Sequence, residues 1–306
     1  MKWVSAEELA RLVTYKDIVE ALRNGFRDNI QTPVRHHHET TPTTTLLLMP
    51  AWSEEFTGLK TTTVKTDNAA LGLPTVQAAY LLIDNKTGAP VCMMDGTELT
   101  RRRTAAAAAL ASDFLSRKDS STLLIVGAGA LALHFALAHA AMRPIKTVLV
   151  FNRTLEKSKR LVAELLADGF SAEVVDDLQV AMSRADIISC ITSSSNAIVK
   201  GVWLKPGTHV DLAGAFKPTM REVDGETVRT ARVYVDTREG ALAEAGDLIQ
   251  AQAEGQFDFA QVQGDLSELC KGTVHGRKTG AEITLFKSVG TALEDLAAAT
   301  LVHLRS

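Results

Sequence analysis

The sequence predicts an α/β protein in which a doubly wound parallel sheet occupies the middle of the chain and an α+β domain is built from both ends. Three observations carry this. From Ser120 onward, apolar stretches of strand length alternate with helical stretches, the pattern of a parallel sheet covered by helices. Before it, residues 43–94 have a Thr-, Val- and Leu-rich β texture punctuated by turn signals. After it, "EITLFKSVGTALEDLAAATLVHLRS" reads as one strand and a long amphipathic helix, expected to rejoin the N-terminal half. With 306 residues the chain exceeds the usual single-core size. We therefore expect two domains, 1–113 with 290–306, and 114–289.

The elements follow in order. "MKWVSAEELARLV" opens a capped helix in which Ser5 and Glu8 form an S-x-x-E box, and Glu7 and Glu8 arrive before an apolar stretch of signal-peptide length. Residues 5–30 are expected to be helical, with Ile18, Leu22 and Phe26 on one face. "TTTLLLMPAW", "GLKTTTVKT", "TVQAAYLLID" and "APVCMMDG", the last two flanking the turn "NKTG", give three or four antiparallel strands. "LTRRRTAAAAALASDFL" is an Ala-rich, closely packed helix. Strands are then expected at 122–126, 147–151, 172–175 and 186–191, with helices at 129–142, 155–168 and 178–184 between them. Further strands lie at "THVDLAG" and "RVYVDT".

A hydrophobic content of 46% and a charged content of 23% describe a globular protein with ample core material. The net charge of -3 and the absence of a Lys/Arg block exclude nucleic acid as the expected partner and leave small anionic substrates open. Cys92, Cys190 and Cys270 are scattered and form no CxxC pair, which fits a reducing cytoplasm and offers neither a disulfide framework nor a zinc site. The run 123–142 is long enough to cross a bilayer, but its two glycines and two histidines favour a buried strand, a turn and a helix, so no membrane partner is expected. His36, His37 and His38 alternate in direction along an extended chain and have no acidic or cysteine companions, so no metal is expected there. A donor or proton-relay role for one of the three stays open.

"LLIVGAGALAL" supplies Gly127-x-Gly129-x-x-Ala132 between a strand and a helix, the fingerprint of a Rossmann-type nucleotide site. Gly127 permits the tight turn, and Gly129 with Ala130 lets a pyrophosphate approach backbone N–H groups at the positive end of the helix dipole. Asn152, Arg153 and Thr154 end the second strand where an acidic residue would read the ribose of NAD. These donors, and a guanidinium above all, suit a ribose phosphate, so NADPH is expected in preference to a usable NADH. Hydride chemistry also needs an anchored substrate, for which Arg35, Lys60, Lys65 and the run Arg101 to Arg103 are candidates. Lys60 stands out because its segment "TGLKTTTV" is otherwise uncharged, and a buried lysine is costly unless compensated.

"GLKTTTVKTDNAALGLPTVQAAYLLIDNKTGAPVCMMDGTELTRRRTAAAAALAS", "IVGAGALA" and "TGAEITLFKSVGTALEDLAA" together resemble the ornithine cyclodeaminase/mu-crystallin family, from about residue 33 to 298. The resemblance implies a Rossmann domain, a substrate and dimerisation domain, and a homodimer. It places substrate-carboxylate contacts on Arg35, Lys60 and Arg103, with Arg103 also at the cofactor. It matches Thr75 to the nicotinamide side, Thr192 and the 210–213 segment beginning at Val210 to the cofactor lining, and Ser288 and Val289 to the meeting of cofactor and substrate.

One departure bears on activity. Cyclodeaminases carry an aspartate in a pattern like G-x-D-x-P-G-K-x-E, whereas this chain reads "GAFKPTMRE", with Phe216 in the aspartate position. A phenyl ring neither orients water nor moves a proton. "RHHH", "LLLMPAW" and "GAFxPxMRE" look most like the Δ1-pyrroline-2-carboxylate reductases, and Phe216 would give a small cyclic imino acid an apolar wall. The expected reaction is reduction of Δ1-pyrroline-2-carboxylate, or its six-membered homologue, with Arg35 and Arg103 clamping the carboxylate and Lys60 binding it or relaying the imine proton. The alternatives are a cyclodeaminase-type lyase, a dehydrogenase of alanine or an N-alkyl amino acid, and a non-catalytic NADPH-binding protein.

Overall fold

The computed structural model describes residues 1–306 apart from Ala69. In chain order the first elements are β1 (Lys2–Val4), α1 (Ala6–Leu12), α2 (Tyr15–Arg27), β2 (His36–Thr41), β3 (Thr44–Trp52), β4 (Phe56–Lys65), β5 (Val76–Asp84), β6 (Pro90–Asp95) and α3 (Gly96–Leu115). Next come β7 (Thr122–Val126), α4 (Ala132–Met142), β8 (Thr147–Phe151), α5 (Leu155–Ala167), β9 (Ser171–Val174), α6 (Leu178–Arg184), β10 (Ile187–Cys190) and β11 (His209–Leu212). The last are α7 (Gly225–Thr230), β12 (Arg232–Val235), α8 (Arg238–Glu244), α9 (Gly246–Ala253), β13 (Gly264–Asp265), α10 (Leu266–Lys271), β14 (Thr284–Lys287) and α11 (Ala292–Arg305). The chain divides into two compact units, Met1–Thr104 with Thr291–Ser306, and Ala105–Gly290. The first boundary falls inside α3 rather than near residue 113, because that helix runs unbroken through the alanine run and offers no linker.

In the unit formed by the chain ends, the six-stranded sheet has the order β1-β6-β5-β4-β3-β2. Strands β2 to β6 form an antiparallel meander, and β1 adds in parallel beside β6. The expected single helix over 5–30 is two helices. Val13 is extended, and Thr14 with Asp17 starts α2 afresh through a reciprocal capping box. Ile18, Leu22 and Phe26 of α2 are buried, and each such side chain contributes about 1.5–3 kcal/mol relative to exposure. Strand alternation puts Met49, Ala51, Lys60, Tyr80, Leu82, Cys92 and Met94 on the buried face. Helix α11 packs on β3, β4, β5 and α2. The other face of the sheet carries Leu46, Leu48, Leu59, Leu81 and Met93, all only partly buried. His36, His37 and His38 lie on β2, an exposed edge strand registered against Leu48, Leu47 and Leu46.

The second unit holds an eight-stranded parallel sheet ordered β13-β12-β14-β11-β10-β7-β8-β9. The chain winds from β7 outward through β8 and β9, then returns to place β10 on the other side of β7. That reversal is the switch point at which open α/β sheets bind ligands, outside the carboxyl ends of the strands. Leu124, Val126, Ile188, Val210, Leu212 and Leu285 lie in the core beneath one face, and Leu123, Ile125, Val148 and Val150 beneath the other. The near-uncharged run 123–142 is β7, a turn and α4. Among the described residues no helix is long and apolar enough to cross a membrane.

Candidate active site

In the nucleotide-binding unit, β7 ends at the predicted glycine turn. Gly127 has φ +110°, and a Cβ there would meet Ile191 O and Thr192 Cγ2 at 3.0 Å. Only glycine lets the turn lie this close to the chain leaving β10. Gly129 and Ala130 are exposed, and a Cβ on Gly129 would meet nothing within 4 Å. Helix α4 then starts at Ala132, fully buried against the sheet, while its N-cap Leu131 makes no side-chain cap bond. An open, uncapped helix start beside a glycine turn fits a pyrophosphate.

The other cofactor candidates divide into two groups. Arg153 and Thr154 are exposed at the end of β8, and no carboxylate pairs with Arg153 among the described residues. Asn152 has its amide oxygen and one of its two N–H groups committed within the chain. Its Nδ2 donates to Thr154 O at 3.0 Å and its Oδ1 accepts from Ala128 N at 3.2 Å, so it braces the glycine turn. Val210 is a correction, since it sits mid-strand in β11 with its side chain wholly inside the core.

Thr192, Ser288 and Val289 lie just beyond strand ends, each held by a buried carboxylate that sequence reasoning missed. Glu222 accepts from Thr192 N at 2.6 Å and Thr192 Oγ1 at 2.9 Å through one oxygen. Its other oxygen accepts from Gly214 N at 2.8 Å and Ala215 N at 3.2 Å. Asp236 accepts from Ser288 Oγ at 3.2 Å, Val289 N at 2.8 Å and Gly290 N at 2.6 Å. Phe216, two residues beyond Gly214, is 44% exposed.

One buried trio has the composition of a nucleophilic triad without its geometry. Ser189 Oγ and Asp211 Oδ2 approach the same ring nitrogen of His139, Nε2, at 3.0 and 3.3 Å, and all three residues are fully buried. A triad needs its two partners on opposite ring nitrogens and a reachable hydroxyl, so this cluster is a packing network.

In the unit formed by the chain ends, two of the predicted substrate residues meet through α11. Lys60 Nζ lies 2.7 Å from Asp295 Oδ2, and Arg103 Nε lies 2.9 Å from Asp295 Oδ1. Arg103 also pairs with Glu294 through Nη1. Lys60 and Arg103 are 2% and 5% exposed, and both carboxylates are fully buried. Burial, opposed by Asp295 and reinforced by the charges of Arg103 and Arg35, lowers the Lys60 ammonium to a pKa of about 8. Arg35 is therefore near enough to act on Lys60, though it is only partly buried itself. Tyr80 faces Lys60 across the β4–β5 ladder, and its hydroxyl is buried with no hydrogen-bond partner among the described residues. Gly58 makes room for it, since a Cβ there would stand 1.8 Å from the Tyr80 oxygen.

Thr75 precedes β5, partly buried, and its carbonyl accepts from Lys65 N at 2.8 Å. Lys65 pairs with Asp67 on the surface, Arg101 with Glu98, and Arg102 with Glu98. Among the described residues no group of three or more His, Cys, Asp or Glu side chains is placed to hold a metal ion.

Comparison with known proteins matches residues 2–306 to the family model for the ornithine cyclodeaminase/mu-crystallin family. A Δ1-pyrroline-2-carboxylate reductase of Colwellia psychrerythraea is 36% identical over 98% of this chain and 97% of its own length. The solved Δ1-pyrroline-2-carboxylate reductase of Thermococcus litoralis, in complex with NADH and L-proline, is 34% identical with a TM-score of 0.95 over 100% of this chain and 97% of that one. An archaeal alanine dehydrogenase dimer with bound NAD is 30% identical with a TM-score of 0.93 over 100% of this chain and 95% of that one.

Proposed function

Because the chain belongs to the ornithine cyclodeaminase/mu-crystallin family, we propose that it is an NAD(P)H-dependent imine reductase. Its proposed substrates are the cyclic ketimine acid Δ1-pyrroline-2-carboxylate and the six-membered Δ1-piperideine-2-carboxylate, giving L-proline and L-pipecolate. The observation that carries this reading is the charge set around Lys60. Lys60 and Arg103 are held side by side and almost wholly buried by Asp295 and Glu294, and the charge of Arg35 also reaches Lys60. Cations fixed in a largely buried setting are the kind of group that the carboxylate of a cyclic imino acid would bind.

The arginines would orient that carboxylate, because guanidinium N–H groups bind it directionally. Lys60, held as an ammonium by Asp295 yet lowered to about 8, can give up a proton at a cost far smaller than an ordinary lysine. It would keep the imine nitrogen protonated while the adjacent carbon accepts electrons. A bound nicotinamide nucleotide supplies the hydride, and its pyrophosphate would lie on the Gly127–Ala130 turn. Exposed Arg153 favours a ribose phosphate and hence NADPH. Phe216 speaks against cyclodeamination, which needs a polar group in its place.

The archaeal relative keeps open a second reading, reduction of a linear imine in the manner of an alanine dehydrogenase, which would use the same carboxylate anchor. Its dimeric state also supports a homodimer here. The partly buried sheet face of Leu46, Leu48, Leu59, Leu81 and Met93 is the surface a second copy would cover. The test is NADPH and NADH oxidation with both cyclic ketimine acids and with pyruvate plus ammonia, alongside ammonia release from ornithine. The proposal expects turnover with the ketimines at least about tenfold more efficient than with pyruvate plus ammonia. Ammonia release without net cofactor oxidation would refute it.

A further inference from the structure

Glu222 is fully buried, and both its oxygens are saturated. One takes the N–H and hydroxyl of Thr192, just beyond β10, and the other takes the N–H groups of Gly214 and Ala215, just beyond β11. A carboxylate has about four acceptor positions, and all are used here. The fit is tight, since a Cβ on Gly214 would stand 2.0 Å from Thr192 O and 2.4 Å from Glu222 Oε1. Glu222 is itself anchored. Asp247 Oδ1 accepts from its N–H at 2.6 Å and from Val223 N at 3.0 Å, and Asp247 Oδ2 lies 3.0 Å from Lys287 Nζ at the end of β14. Three neighbouring strand ends are thus tied to one buried charge set of two carboxylates and one ammonium.

We propose that Glu222 is a positioning residue for nicotinamide-nucleotide binding, its ionised carboxylate fixing the separation of the loops after β10 and β11. This rests on reading those loops as part of the nucleotide site. Three of the four donors are backbone N–H groups, so a proton on the carboxylate either displaces one of them or forces the Thr192 hydroxyl to turn and accept, and the clamp is weakened. The surroundings bring that event into the neutral range. Burial raises the Glu222 carboxyl to about 7, with Asp247 adding to the rise while Lys287 and Thr192 oppose it. Cys190 on β10 stays a thiol because burial and these carboxylates push it up, and Arg221 beside Glu222 is engaged by Glu254, so Lys287 is the cation within the set. Nucleotide affinity is therefore expected to fall as the pH drops through about 7, the sign required when the binding-competent form is the deprotonated one.

The experiment is NADH titration of the intact protein, followed by nicotinamide fluorescence, from about pH 6 to about pH 8.5. NADH is chosen because its phosphates do not titrate in that range. The wild type should bind about tenfold more weakly at the acid end, and Glu222→Gln should be about tenfold weaker at the alkaline end with a flat profile. Glu222→Gln binding with wild-type affinity and slope would overturn the role. If that variant fails to fold, Thr192→Val decides. It removes a bond that lowers the Glu222 carboxyl, so the inflection should move to higher pH, and an unmoved inflection would overturn the role equally. Absence of binding of both NADH and NADPH by the wild type at every pH would instead reject the nucleotide-site reading, and this role with it.

Discussion

The two buried charge clusters make an instructive pair. Around Lys60, two cations are paired with two carboxylates. Around Glu222, carboxylates outnumber the single cation, Lys287. Both remove charge from water at substantial cost, but the shifted group differs, an ammonium in one and a carboxylate in the other. In the first cluster, burial and the charges of Arg103 and Arg35 ease proton loss from an ammonium. In the second, a carboxylate is pushed up toward neutrality while its oxygens are filled by backbone donors. On the proposed reading, buried charge serves chemistry in one unit and loop placement in the other.

That contrast can be broken by removing one lysine from each cluster. Lys287→Met takes away the cation facing Asp247 and Glu222, and is expected to cost about 3–5 kcal/mol of stability, measured by urea unfolding. Lys60→Met leaves Asp295 paired with Arg103, so its stability loss should be smaller, while ketimine kcat/KM should fall about a hundredfold. A maximal rate that survives with only KM raised would make Lys60 an electrostatic anchor rather than a proton source. Equal stability losses in the two variants would erase the distinction between the clusters.

The pH profile sharpens it further. If the Lys60 ammonium supplies the proton, the active form is the protonated one, so kcat/KM should decline as the pH rises through about 8. The decline should approach tenfold per pH unit and be absent in Lys60→Met. The smallest expected effect is on cofactor choice. Arg153→Ala should weaken NADPH about fivefold to tenfold with NADH unchanged, as read from kcat/KM with each cofactor. An NADH preference in the wild type that this change leaves unaltered would remove Arg153 from the account.

The sequence made the strand and helix order of the parallel sheet legible, because buried strands and a glycine turn leave strong local signals. Lys60 was legible for the same kind of reason, as a charge in an apolar segment. Its partners were not. Glu294 lies 191 residues from Arg103 and Asp295 still farther from Lys60, and only the fold joins α11 to these two residues. Lys287 carried the same signal in "ITLFKSV", and the logic applied to Lys60 would have found it. Glu222 closes the motif "GAFKPTMRE" and Asp236 follows an apolar strand, but neither role was legible, since both accept backbone N–H groups whose positions come from loop geometry. Val210 was misassigned because adjacency to a site in sequence does not tell which way a side chain turns. The break at Val13 and the edge strand of three histidines show the same limit, where capping and ladder bonds decide against short apolar periodicity.

The most direct test of the proposed reaction is the fate of the transferred hydrogen. The protein would be supplied with Δ1-pyrroline-2-carboxylate and NADPH deuterated at C4 of the nicotinamide on the transferring face, and the product examined by mass spectrometry and chiral chromatography. The account predicts L-proline carrying a single deuterium at Cα, formed in equal amount to the cofactor oxidised. Unlabelled proline, or cofactor that stays reduced while substrate is present, would contradict it.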